Sequence, residues 1–269
     1  MLLTFALYLL LGAVAGFVAG LFGIGGGLII VPVLIFSFSA QGMAPEVLTH
    51  AAVATSLGTI VFTSIASIRA HHQKGAVCWN LFPSLSVGIL VGALTGVWIA
   101  GALSGAVLQL LFGVFTLGVA AQMAFDLRPG VGGHAPGTGE LVVAGSGVGC
   151  ASAIFGIGGG TLTVPYLHWR QLSVQQAVAT SAACGLPIAL MGAVGNIWSG
   201  WNERMMPGWH LGYIYLPALI GIVLSSSFFA RYGARLAHRL PQQQLKKIFA
   251  LLLAVVGLRF LITNLYLGL

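Results

Sequence analysis

Apolar residues in this chain do not mark out one buried face of each segment; they run on almost without interruption until a polar break. An α-helix needs about 20 such residues to cross roughly 30 Å of hydrocarbon. Stretches of that kind lie at Ala44–Ser67, Val77–Gly101, Val107–Phe125, Val174–Ile197, Leu211–Phe229 and Leu245–Tyr266. Two further regions, Leu3–Phe38 and Glu140–Trp169, are apolar throughout but broken by glycines. The pattern predicts an all-α polytopic transmembrane fold. Asp126–Gly139, rich in Gly and Pro, is the one segment that reads as a soluble linker.

The two broken regions are copies of one another. Phe22-Gly23-Ile24-Gly25-Gly26-Gly27 recurs unchanged as Phe155-Gly156-Ile157-Gly158-Gly159-Gly160, and Val31-Pro32 recurs as Val164-Pro165 at the same spacing. Ala52-Val53-Ala54-Thr55-Ser56 then recurs as Ala177-Val178-Ala179-Thr180-Ser181. The chain therefore divides into a first repeat, 1–125, a linker, 126–139, expected on the cytoplasmic side, and a second repeat, 140–269. Each repeat holds one glycine-broken element and three full spans.

Charge decides how the broken elements cross. If each is a single interrupted span, the 11 Lys and Arg divide five against six between the two sides. If each is a re-entrant hairpin, the second repeat is inverted relative to the first. Arg69, Lys74, Arg128, Arg170, Arg231, Arg235, Arg239, Lys246 and Lys247 then share one side, with Arg204 in a loop opposite and Arg259 inside the last span. Cytoplasmic loops carry the excess of Lys and Arg. This favours inverted repeats with basic loops in the cytoplasm and both termini outside. The N-terminus lacks a basic region before its apolar run, so it is expected to belong to the mature protein.

Composition removes several classes. With 58% hydrophobic and only 6% charged residues, the surface must face lipid, since soluble chains carry roughly 25% charged residues. The net charge of +7 forms no continuous basic face, so nucleic acid is not an expected partner. Cys78, Cys150 and Cys184 are too scattered for a disulfide framework or a zinc motif, and no metal or cofactor is implied. Cys150 and Cys184 have no cysteine counterpart in the first repeat, and packing is the expected role. His71 and His72 are adjacent and are expected in a solvated loop. No acid pair or Cys–His pairing can be placed at one depth, so no enzyme is expected.

Two hairpins entering from opposite faces would bring their glycine tips together near the midplane. Irregular backbone at that depth is tolerated only where it is buried in protein or lines a wet cavity. The second leg of each hairpin starts right after the glycines, so its N-terminus, with unpaired N–H groups and partial positive charge, points at the meeting place. Interrupted helices at corresponding positions of two repeats mark a transporter's site. The expected substrate contacts are Gly23, Gly25, Gly26, Gly27, Gly156, Gly158, Gly159, Gly160 and Thr161. Thr55, Ser56, Thr180 and Ser181 could add hydroxyls from the neighbouring spans, or bond back to their own helices. A nucleotide site is excluded: Leu28 and Thr161 stand where a dinucleotide fingerprint needs glycine, and no P-loop Lys follows.

At these glycines, and at the Val-Pro that follows each of them, the chain resembles the TauE/SafE family of sulfite and organosulfonate exporters. The Ala-Val-Ala-Thr-Ser segments resemble that family's next block, and the similarity covers essentially the whole chain. The resemblance implies export of sulfite, sulfoacetate or a related organosulfonate across the cytoplasmic (inner) membrane. Import of an inorganic sulfur anion such as thiosulfate, or a non-transport assembly or structural role, are the alternatives. The expected partners are a small anion and the lipid bilayer. No span holds a buried acid of the kind that marks proton coupling. Arg259 either neutralises substrate charge or snorkels to the headgroups.

Overall fold

The computed structural model describes residues 2–22, 26–125, 136–237 and 242–266. These form ten helices and one two-stranded hairpin: α1 Leu2–Phe22, α2 Gly27–Ala40, α3 Pro45–Gln73, α4 Phe82–Ala102, α5 Gly105–Ala124, α6 Thr138–Phe155, α7 Gly160–Trp169, α8 Val174–Ser199, β1 His210–Leu211, β2 Ile214–Tyr215, α9 Leu216–Ala237 and α10 Gln242–Tyr266. Seven of the helices are long and apolar enough to cross a membrane. Their outward faces carry large apolar side chains such as Trp98, Leu251 and Val143. Inward positions of α3 and α8 are mostly Gly, Ala, Ser and Thr, as expected where lipid gives helices no hydrophobic reason to associate and close backbone packing must supply the attraction.

Glycine spacing sets the helix pairs. Gly12 and Gly16 of α1 abut the backbone of Ile222 and Ser226 of α9, and Gly221 lies under Tyr8. Gly88, Gly92 and Gly96 of α4 abut Val142, Ser146 and Cys150 of α6, while Gly145 and Gly149 return the contact at Leu85 and Ile89. Residue numbers rise together in both pairs, so the helices run parallel. The opposite holds for the two central pairs. In α5 and α10, Gly113 faces Gly257, and Asn264 Nδ2 donates to Gln109 Oε1 at 3.1 Å. In α3 and α8, Leu57 packs on Gly192 and Ser64 on Gly185. Both pairs are antiparallel.

Each broken region doubles back. Gln41, just past α2, donates from Nε2 to the Tyr8 hydroxyl near the start of α1 at 2.7 Å, and Phe38 sets its ring edge against Tyr8. At the end of α7, Arg170 pairs with Glu140 near the start of α6, and the Tyr166 hydroxyl donates to Glu140 Oε1 at 3.1 Å. Both hairpins are thus clasped at their open ends. At 1.5 Å per residue the return legs reach about 21 Å and 15 Å, less than a bilayer core.

Three expectations need correction. The second and fifth full spans start later than the apolar runs suggest, at Phe82 for α4 within Val77–Gly101 and at Leu216 for α9 within Leu211–Phe229. Residues 210–215 are a β-hairpin, closed by Gly212 at φ +57°. His71 and His72 lie on the last turn of α3, not in a loop, and Trp79 Nε1 donates to His72 Nδ1 at 3.2 Å. Most of the expected linker, 126–135, lies outside the described residues.

Candidate functional site

The two tips touch. A Cβ on Gly27 would stand 2.5 Å from the Gly156 carbonyl oxygen and 2.7 Å from Ile157 Cα, so only glycine admits this approach of backbone to backbone. The contact lies against Ile60, halfway along α3. Gly158 meets Gly185, halfway along α8. The breaks therefore converge at the middle of the two most buried spans.

Glycine geometry differs between the tips. Gly156 caps the C-terminus of α6 at φ +67°, and Gly159 precedes α7 at φ +74°. Both are left-handed conformations that disfavour any side chain. Gly26, the counterpart of Gly159, sits at an ordinary helical φ of −63°. Its carbonyl accepts from Ile29 and Ile30 N–H. Gly23 and Gly25 lie outside the described residues.

At the start of α7, Leu162 and Thr163 N–H return to the Gly159 carbonyl at 3.0 and 2.7 Å. The N–H groups of Gly160 and Thr161 precede any intrahelical acceptor, and no side chain caps the helix. Gly160 and Thr161 are half-buried.

The Thr-Ser pairs divide by role. Thr55 Oγ1 accepts the Tyr215 N–H at 3.0 Å, and Thr180 Oγ1 accepts the Cys78 N–H at 3.0 Å. Each Thr thereby pins a connection of the opposite half, Thr55 the one that leads into α9 and Thr180 the one that leads into α4. Ser56 donates to the Gly156 carbonyl at 2.8 Å, joining α3 to the opposite tip. Ser181 is buried with its hydroxyl unpartnered.

Two residues at the second tip carry no signal in the sequence taken by itself. Ser152 of α6 and Thr163 of α7 are both fully buried at 0% exposure, and both hydroxyls lack a partner. They flank Gly159: their oxygens lie 3.7 and 3.4 Å from where a Cβ on it would stand. The signal that could have found them is comparative, since the first repeat has Ala19 and Ile30 at the aligned positions.

Other candidates lie elsewhere. Arg259 is exposed on α10, its guanidinium 4.6 Å from the Phe36 ring centre, in a shallow groove with Val255, Leu258, Ile262 and Thr263. Cys184 is fully buried, and Cys150 packs on Gly96. Among the described residues no three His, Cys, Asp or Glu side chains gather as metal ligands.

Known proteins fit this architecture. A probable membrane transporter protein of Haemophilus influenzae is 38% identical over 253 residues, 94% of this chain and 96% of that protein. One of Methanocaldococcus jannaschii is 27% identical over 265 residues, covering 97% of each chain. One of Bacillus subtilis is 23% identical over 286 residues, 98% of this chain and all of that protein. No solved structure matches the chain. Residues 8–260 match the family described as sulfite exporter TauE/SafE. With these relatives and its apolar spans, the chain is a multi-pass membrane transporter protein of the sulfite exporter TauE/SafE family.

Proposed function

We propose that the protein exports a small sulfur-containing anion, sulfite or an organosulfonate such as sulfoacetate, through a site where the two glycine tips meet. The observation that carries this reading is the apposition of Gly27 and Gly156 halfway along α3 and α8. Irregular backbone at mid-depth calls for protein or a polar ligand to satisfy it. Here it is offered with uncapped N–H groups at the start of α7. That terminus suits an anion.

The halves act as inverted repeats in this reading. Exchanging them turns the α1–α9 pair into α6–α4 and carries α5 onto α10 and α3 onto α8. A twofold operation that relates two antiparallel helices reverses their direction, so its axis lies in the membrane plane. The site then opens alternately to either face as one half rocks on the other. The charge distribution supports cytoplasmic basic loops and outward termini. An inside-negative potential favours anion efflux by about 2.3 kcal/mol per charge per 100 mV, enough to drive export with no coupled ion.

The test is efflux from liposomes loaded with sulfite, sulfoacetate, thiosulfate or sulfate, under a potential set with valinomycin. Efflux of sulfite or sulfoacetate that rises with inside-negative potential, and is lost in folded Gly158→Val, is the expected result. Vesicles that hold folded protein yet release no sulfur anion would overturn the proposal. Uptake against that potential would turn it towards import.

A further inference from the structure

Hydroxyls in the spanning helices of this protein have a habit. Thr59, Thr63, Thr95, Thr116, Ser146 and Ser225 each donate back to a carbonyl three or four residues earlier on their own helix. That is the ordinary way to satisfy a hydroxyl in an apolar setting. Ser86, Ser181 and Ser226 depart from it singly, and Ser152 and Thr163 depart from it together at one turn. Both are fully buried, both lack a hydrogen-bond partner, and both oxygens lie within 4 Å of where a Cβ on Gly159 would stand, a spot the side chain of Ile188 fills. A buried hydroxyl without a hydrogen bond costs about 1–3 kcal/mol by mutational measures, so two side by side call for an occupant.

This spot sits at the opening of α7, where no side chain caps the helix. Two hydroxyl donors and the leading N–H groups of Gly160 and Thr161 thus border one spot. The tip of the Ile188 side chain occupies that spot, so a ligand enters only as that flexible side chain turns aside. At the first tip α2 likewise opens without a side-chain cap, but the described residues place no pair of unpartnered hydroxyls beside it. Around Gly26 the corresponding neighbours are Ile30 and Ala19, which donate nothing. The repeat preserves the glycines and abandons the hydroxyls, which makes the meeting point chemically one-sided.

We propose that the transported anion binds at the second tip only, as a singly charged oxyanion whose oxygens accept from Ser152 and Thr163 hydroxyls and from the N–H groups opening α7. This rests on the anion-exporter reading and adds its recognising residues and charge class. The nearest described side chains are those of Ser152, Thr163 and Ile188, and none of these is cationic. Neutral donors and a helix terminus offset one negative charge. Desolvating a dianion costs about four times as much as a monoanion of the same size, because Born energy grows with the square of the charge. A sulfonate or hydrogen sulfite therefore binds, and sulfate does not.

Methanesulfonate, always a monoanion near neutral pH, and sulfate, always a dianion there, separate the cases in proteoliposomes. Wild-type protein is expected to move methanesulfonate and not sulfate, and its sulfite flux is expected to fall as pH rises through the second ionisation of sulfite. Thr163→Val, which keeps the shape of the side chain, and Ser152→Ala are each expected to raise the methanesulfonate KM about tenfold or more, as for hydrogen bonds to a charged group, with maximal rate and melting temperature little changed. Thr163→Ser keeps the hydroxyl and should keep the KM. Should Ser152→Ala fail to fold, the contrast between Thr163→Val and Thr163→Ser decides alone. An unchanged KM in Thr163→Val, or sulfate carried as well as methanesulfonate, overturns the inference and leaves the exporter reading intact. If folded wild-type protein moves neither these anions nor sulfite, both fall together.

Discussion

The hydroxyl of Ser56, in the first half, donates at 2.8 Å to the carbonyl of Gly156, in the second. Gly156 is in the left-handed region and ends α6, so its carbonyl has no place in a helical ladder. Ser56 satisfies it from the middle of α3 and holds the second tip against the opposite repeat. Ser56→Ala removes the donor and strands a buried carbonyl. Hydrogen bonds between spanning helices are worth about 0.6 kcal/mol on average and up to about 1.7. A loss of roughly 1 kcal/mol is expected, read as a lower melting temperature in detergent, with faster proteolysis at the 156–159 turn.

Gly92 of α4 tests the close packing of the parallel pairs. A Cβ there would overlap the carbonyl of Ser146, a backbone atom of α6 that has no room to retreat. Gly118 of α5 has nothing within 4 Å of the same position. Gly92→Ala is expected to destabilise by about 1–3 kcal/mol, the usual range for overpacking, and to cut the monodisperse yield on size-exclusion chromatography. Gly118→Ala should match wild type. Equal yields for the two would refute the claim that small residues set the α4–α6 distance.

The spans and the glycine breaks were legible in the sequence because their signals are local: long apolar runs and an exact six-residue repeat. Contacts that close over a hundred residues were not. Nothing near Thr55 announces that it accepts from Tyr215, or near Thr180 that it accepts from Cys78. Their likeness appears only once both connections are seen to plug the same place in each half. The β-hairpin at 210–215 was hidden for a different reason. Leu211, Tyr213, Ile214 and Tyr215 are apolar enough to read as the start of a span, and only Gly212 breaks them. Ser152 and Thr163 were overlooked because a lone hydroxyl in a helix usually bonds to that helix. Their role depends on how the chain turns at Gly159.

The clasp at the open end of the second hairpin gives an electrostatic prediction. Glu140 accepts from both Arg170 and Tyr166, and Arg170 lies 4.2 Å from the Trp169 ring centre. The Arg170 side chain is 11% exposed, so its charge is mostly desolvated. Removing one member of such a pair strands the other and costs more than an exposed ion pair is worth. Glu140→Gln is expected to cost about 1–3 kcal/mol, while the exchanged pair Glu140→Arg with Arg170→Glu recovers part of it. A double-mutant cycle on thermal unfolding reads the coupling. Additive effects would show that the clasp contributes nothing as a pair.

The same substitution at equivalent glycines separates the two tips. Gly26 has an ordinary helical φ, and an added methyl would meet the flexible end of Ile30 at 2.8 Å, which can turn aside. Gly159 has φ +74°, and its added methyl would crowd Ile188 and stand 3.4 Å from the Thr163 hydroxyl oxygen. An alanine in the left-handed region costs about 1–2 kcal/mol, and here the methyl also keeps a ligand from replacing Ile188 beside Ser152 and Thr163. Gly159→Ala is therefore expected to abolish methanesulfonate transport by folded protein, whereas Gly26→Ala should keep KM within about twofold of wild type and lose less than about 1 kcal/mol of stability. Transport rate and melting temperature together distinguish a blocked site from an unfolded chain. If the two variants lose transport equally while both stay folded, the tips contribute alike and binding is not one-sided.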